Sequence, residues 1–271
     1  RMKKATLGER WTAFRESVWG LLLIVMLAME VGLRIGRRRR RDIGEEGSDE
    51  GASLVVGSML GLMAFVLALN LSSATSRYEL RMNSTLQEAN AIGTAMLQAG
   101  AVGGAQSQVL VDDFKKYLDL RYRYVRLPHD EQAIRQLNDE TNALQNKIWA
   151  NLALRVNEAP SPATSSLMNA VNNAFDSSTA MRQAMEYRMP AQLIGLLLGL
   201  SVLGTAAVGY QFGLTKRKGR TPGILLAILW GVIVTQIIDI GSARIWSFRT
   251  DARVYEWSLT GLGMPVITDR R

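Results

Sequence analysis

Apolar and polar positions divide the chain into four apolar runs and one long polar block. Residues 18–36, 52–71, 190–213 and 223–241 are apolar on every helical face over 19 to 24 positions. A helix climbs about 1.5 Å per residue, so about 20 residues cross the roughly 30 Å hydrocarbon layer of a membrane. Each run therefore predicts a transmembrane helix. The block between the second and third runs shows no convincing alternation of apolar and polar residues, and its periodicity is helical. The predicted fold class is an all-α integral membrane protein with four transmembrane helices and a helical extramembrane domain between the second and third spans. The boundaries read as 1–71 for the N-terminal segment and helices 1–2, 72–189 for the extramembrane domain, 190–241 for helices 3–4, and 242–271 for a C-terminal tail.

Within the polar block, no proline interrupts residues 73–98, so the second span predicts a helix that continues out of the membrane. Leu80, Leu86, Ile92 and Met96 would form its partial apolar face. The glycine-rich stretch 99–106 predicts a turn. Leu110, Phe114, Tyr117, Leu118 and Tyr122 then mark the buried side of a second helix, which Leu127-Pro128 ends. Asp130 and Glu131 suit the first turn of a third helix. Ile134, Leu137, Leu144, Ile148 and Leu152 would face inward from it. Two prolines in 158–164 close that helix, and a fourth begins near Ser165, carries Leu167, Val171, Phe175 and Met185, and feeds the third span.

A mean hydropathy of +0.03 conceals the spans, because the polar block offsets them. The first run is preceded by basic residues, as a signal peptide is, but it is too long and ends in a run of arginines instead of a small-residue cleavage site. Much of the net charge of +8 lies beside the membrane, in Arg37, Arg38, Arg39, Arg40 and Arg41 and in Lys216, Arg217, Lys218 and Arg220. Basic residues there meet anionic headgroups, which makes the lipid bilayer the first partner. The polar block carries 12 basic and 12 acidic residues, so it offers no reason to bind nucleic acid. Orientation is not decided by charge. Ten basic residues are packed into the two short loops, while twelve are spread over the flanks of the spans on the opposite side.

Chemistry is sparse. Without cysteine there is neither a disulfide nor a thiol nucleophile, and no phosphate-cradling loop or nucleophile elbow occurs. His129 sits in a loop as Pro-His-Asp and reads as solvated. The pairs Asp112-Asp113 and Asp139-Glu140 are sequence neighbours whose side chains diverge on a helix, so neither chelates a metal alone. No catalytic residue, cofactor or metal is expected. Polar groups inside the spans say more, because burying them in lipid is costly. Glu30, Gln236 and Asp239 form a candidate intramembrane cluster, either an ion path or interhelical hydrogen bonding, with Arg34 one turn from Glu30. Gly57 with Gly61, and Gly195 with Gly199, have the spacing that lets helix backbones approach, within the chain or between copies.

Beyond the second span the residues Ser76-Arg77-Tyr78-Glu79-Leu80-Arg81 are followed by Gln87-Glu88-Ala89-Asn90-Ala91-Ile92-Gly93-Thr94-Ala95. This resembles the signature of the bestrophin-like domain family of bacterial membrane proteins, carried here by Arg77, Tyr78, Glu79, Arg81, Glu88, Asn90 and Gly93. The family layout of two spans, a helical segment and two spans ending in an aspartate covers nearly the whole chain. After Asp239 the family often has a second acid and Arg-Pro, where this chain has Ile-Gly-Ser-Ala-Arg. The family is distantly similar to the bestrophins, pentameric anion channels whose second span lines the pore. By that similarity, three pore-narrowing positions spaced four apart after Gly61 fall on Leu62, Val66 and Asn70, with Arg77 and Tyr78 downstream. Two would be an apolar constriction able to gate by dewetting, with Asn70 as a polar end. The resemblance places the protein in a bacterial cytoplasmic membrane.

Three functions remain open from sequence: an oligomeric channel, a non-catalytic accessory subunit of a larger membrane complex, and a transporter or membrane enzyme built on Glu30, Gln236 and Asp239. The first expects a homo-oligomer, the second a single copy among foreign subunits, and the third an internal cavity where those residues converge.

Overall fold

The structure is a computed structural model that describes residues 7–43, 50–128, 130–187, 189–215, 220–244 and 250–264. Among these, eight helices and no strand are present. They belong to two compact units, one of residues 1–76 with 189–242 and one of 77–188 with 243–271.

The first unit contains α1 (Leu7–Ile43), the first part of α2 (Glu50–Val102), α6 (Ala191–Leu214) and α7 (Arg220–Gly241). Among the described residues, four helices are long and apolar enough to cross a membrane. Their outward surfaces are apolar too, as at Trp19, Leu23, Leu27 and Val31 on α1 and Leu225 and Leu229 on α7. Such surfaces have no place in water, and they make the chain a multi-pass membrane protein.

Glycine decides how these helices pack. Gly32 and Gly36 of α1 lie against Ala206, Tyr210 and Gly213 of α6, and Gly209 and Gly213 of α6 lie against Met29 and Leu33 of α1. A Cβ on Gly32 would stand 1.9 Å from the carbonyl oxygen of Ala206, and one on Gly209 would stand 2.1 Å from that of Met29. The two backbones thus touch, and the order of contacts shows that α1 and α6 run parallel. On α7, Gly223 meets Met29 and Gly231 meets Leu22, so α7 runs antiparallel to α1. Trp230 donates from Nε1 to Ser201 Oγ at 2.8 Å, tying α7 to α6. The sequence-predicted pairs behave otherwise: among the described residues, nothing lies within 4 Å of a Cβ at Gly57, Gly61, Gly195 or Gly199. Their spacing matched the motif, but within the chain they stand on open faces.

The second unit contains the rest of α2, then α3 (Ala105–Arg126), α4 (Glu131–Glu158), α5 (Pro162–Glu186) and α8 (Arg253–Gly261). The second span continues without a break into this unit, since α2 is one helix of 53 residues. Gly103 and Gly104, at φ 68° and 91°, make the turn into α3. Side chains other than glycine rarely adopt that conformation. Asp130 caps α4 by accepting from the amides of Gln132 and Ala133, and Ser161 forms a capping box with Thr164 at the start of α5. Leu110, Phe114, Tyr117, Leu118 and Tyr122 are buried as their spacing predicts, together with Ile148, Leu152, Leu167 and Val171.

Three expectations fail. On α2, Ile92 and Met96 are buried but Leu80 and Leu86 are exposed; the inward face there is polar, with Arg81, Ser84, Thr85 and Glu88. The fourth helix of the polar block does not feed the third span, because α5 ends at Glu186 and α6 begins only after Pro190. Nor are residues 242–271 a plain tail. Helix α8 places Tyr255 and Leu259 in the core of the second unit.

Candidate functional site

Two features bear on function: the open face of α2 in the first unit, and a charged cluster buried in the second.

Within the first unit, α2 turns one stripe inward at Val56, Met63, Val66, Asn70 and Ala74. Of the proposed pore positions, Leu62 is 52% exposed, whereas Val66 and Asn70 are 7% and 1% exposed. The reason is geometric. Steps of four residues advance 400° on a helix of 3.6 per turn, so a row spaced by four drifts about 40° per step. Leu62 lies at the edge of the open face and Asn70 has rotated inward, where its Nδ2 donates to the Val66 carbonyl at 2.9 Å. The open face instead carries Leu62, Phe65 and Leu69, and beside them small residues at Gly57, Gly61, Ala64 and Ala68.

The intramembrane polar residues do not converge. Glu30 binds Arg34 at 3.1 Å, Gln236 is exposed, and Asp239 is buried. Because Met29 is level with Gly223 and Leu22 with Gly231, Asp239 lies about 16 residues, or roughly 24 Å, along the helices from Glu30. The antiparallel register of α1 and α7 puts the two acids at opposite ends of the spans.

The signature residues divide by side of α2. Glu79 and Asn90 are exposed, and Gly93 meets nothing within 4 Å of a Cβ. Arg77 stacks 4.3 Å over the Tyr187 ring and donates to that residue's carbonyl at 3.5 Å. Arg81 is fully buried, 5.8 Å from the ring of the half-buried Tyr78. Glu88, also fully buried, accepts from Arg121 Nε and Nη2 and from the Tyr255 hydroxyl. Arg121 and Arg244 stack on Tyr124, at 4.5 and 4.6 Å from its ring. Arg244 also donates to the carbonyls of Tyr124 and Leu127 at 2.8 Å. Burial opposes the Arg121 charge, but Glu88, with Tyr255 and Tyr117, more than offsets it and holds its pKa above the ordinary value. Burial pushes the Tyr117 hydroxyl up to about 12 and the Tyr255 hydroxyl well above its usual value. For Arg244, burial lowers the pKa.

Sequence reasoning found Glu88 but missed Arg121, Tyr117, Tyr124, Arg244 and Tyr255. Tyr117 was read as plain core; Arg121 sits one turn beyond it on the same buried face, which was the available signal. Arg244 is the arginine of the divergent Ile-Gly-Ser-Ala-Arg stretch. Of the membrane-surface basic residues, Arg37, Arg38, Arg39 and Arg41 are exposed and Arg40 donates to the Thr215 carbonyl at 3.4 Å. Lys216, Arg217, Lys218 and His129 lie outside the described residues.

The fold is shared with solved structures. A bacterial bestrophin homologue from Klebsiella pneumoniae, solved by zinc phasing, matches 92% of this chain and 98% of its own with a TM-score of 0.62 at 12% identity. Two single-residue variants of that homologue match with TM-scores of 0.61 and 0.63 at 12% and 13% identity, over 93% and 91% of this chain and 99% of theirs. The chain therefore has the bestrophin fold over more than nine-tenths of its length. No family model matches it. A 27-residue stretch is 63% identical to the C4-dicarboxylate TRAP transporter large permease protein DctM of Rhodobacter capsulatus; it spans 10% of this chain and 6% of that protein. So short a stretch defines no shared fold.

Proposed function

We propose that the chain is one protomer of a homo-oligomeric anion channel of a bacterial cytoplasmic membrane, with α2 arranged around the pore. The observation that carries this reading is the open face of α2. In the middle of a membrane protein, a helix buries only a narrow stripe against its own protomer and leaves Gly57, Gly61, Ala64 and Ala68 bare beside Leu62, Phe65 and Leu69. Small residues let a neighbouring helix approach closely. Large apolar residues on the adjacent part of the face would form a ring that gates by dewetting. The bestrophin fold adds support, since the resemblance already implies a ring of copies around the second span.

Leu62 is kept as a constriction residue, with Phe65 and Leu69 joining it at helical spacing. Val66 and Asn70 support the inward side of the same helix. Selection of anions is the part of the reading that rests on the resemblance alone.

The test is the copy number of the protein extracted gently from its own membrane, followed by chloride flux in vesicles. A closed ring that conducts is expected. A single copy bound to unrelated subunits would overturn the channel and make the chain an accessory subunit.

A further inference from the structure

A groove of about 490 Å³ opens between three helices of the first unit. Val31 and Ile35 of α1, Val55 and Met59 of α2, and Ala207 and Tyr210 of α6 line it. Its volume falls in the range of small-molecule sites, yet its walls are hydrocarbon, and the Tyr210 hydroxyl is the single oxygen or nitrogen that its side chains supply. Val31, Ile35 and Val55 are each more than half exposed, so the groove is open along its length. An apolar slot of this kind at membrane depth suits an alkyl chain.

What stands at its end identifies the rest of the ligand. Arg38 and Arg39 follow Ile35 by three and four residues, so they continue the groove-lining face of α1 one turn further. Both are exposed. Arg40 of the run reaches the carbonyl of Thr215, and Arg34, one turn before the groove-end arginines, binds Glu30. Asp42 is the acid that shares this face, one turn beyond Arg38 and Arg39. Guanidinium groups bind phosphate oxygens in a fork, and Tyr210 has the apolar ring and polar tip favoured where hydrocarbon meets headgroup.

We infer that this groove is a binding site for one acidic glycerophospholipid, its acyl chain between α1, α2 and α6 and its phosphate on Arg38 and Arg39. Phosphatidylglycerol is the probe. A zwitterionic phosphatidylcholine with the same chains shares the fit but carries no net charge. Bulk lipid that merely coats the protein does not need the slot.

The experiment is native mass spectrometry of the full chain in mild detergent, titrated with phosphatidylglycerol or phosphatidylcholine of equal chain length. Phosphatidylglycerol should bind at least tenfold more tightly. Val55→Trp, which fills the groove from an exposed position, should weaken it at least tenfold at unchanged copy number. If Val55→Trp fails to assemble, Ala207→Phe reads the same outcome from the facing wall. Arg38→Gln with Arg39→Gln should reduce phosphatidylglycerol to the level of phosphatidylcholine. Equal binding of the two lipids by the native protein, or native binding by the groove-filling variants, would overturn the site. The chain has no cysteine, so disulfide-linked pairs formed by Val55→Cys in membranes would show a second copy covering the groove and overturn it equally.

Discussion

Taking a carboxylate and a guanidinium out of water together costs several kcal/mol for each ion, and only their mutual attraction with full hydrogen bonding repays it. Glu88 and Arg121 meet that condition through their ion pair, the Tyr255 hydroxyl and the Ser178 carbonyl. Glu88→Gln strands the arginine and should cost about 3–5 kcal/mol. Tyr255→Phe removes one hydrogen bond to a charged group and should cost about 1.5–3 kcal/mol. Thermal unfolding of the detergent-solubilised protein checks both, and an unchanged midpoint for Glu88→Gln would show that the cluster is not structural. Alkali tests the same cluster from another side. Tyr117 keeps its proton to about pH 12 in the folded state, whereas an exposed tyrosine loses it near pH 10. A raised folded pKa leaves stability intact below about pH 10 and removes it above, by up to about 1.4 kcal/mol per pH unit for this group until about pH 12. Ultraviolet titration of the phenolates should therefore show Tyr117 ionising only as the protein unfolds.

At the scale of elements, the spans, the long α2, the turn at Gly103-Gly104 and the start of α4 at Asp130 were legible because length, proline, glycine and Asp act locally, whereas the Ser161 cap was not, since α5 begins three residues before the expected Ser165. Which glycines bring helices together was not legible. Gly57 and Gly32 each belong to a pair spaced by four, and only the partner helix distinguishes them. The charged core was equally hidden, since the buried face of α2 near Arg81 and Glu88 has the composition of an exposed one. Helix α8 is nine residues long and was lost among polar neighbours. The two kinds of glycine give opposite expectations. Gly32→Ala should overpack α1 against α6 and destabilise the protomer by about 1–3 kcal/mol. Gly61→Leu, with open space around it, should leave the protomer folded and alter the number of copies. Gel filtration with a thermal melt separates the cases, and a destabilised protomer from Gly61→Leu would place an unseen partner helix within the chain.

At the scale of the whole molecule, the open face of α2 is where the proposed channel is tested. Leu62→Ala should raise chloride leak at least several-fold if Leu62 narrows a pore, and an unchanged leak in a correctly assembled protein would remove it from that role. The parallel contact of α1 and α6 has a consequence for synthesis. Gly32 and Gly209 are 177 positions apart, and at about 5–20 residues per second a ribosome needs roughly 9–35 seconds to travel between them. For that time the first span waits in the bilayer with its glycine face covered by lipid alone. A nascent chain stalled before α6 should present that face to membrane chaperones and quality-control proteases, while one stalled after α6 should not.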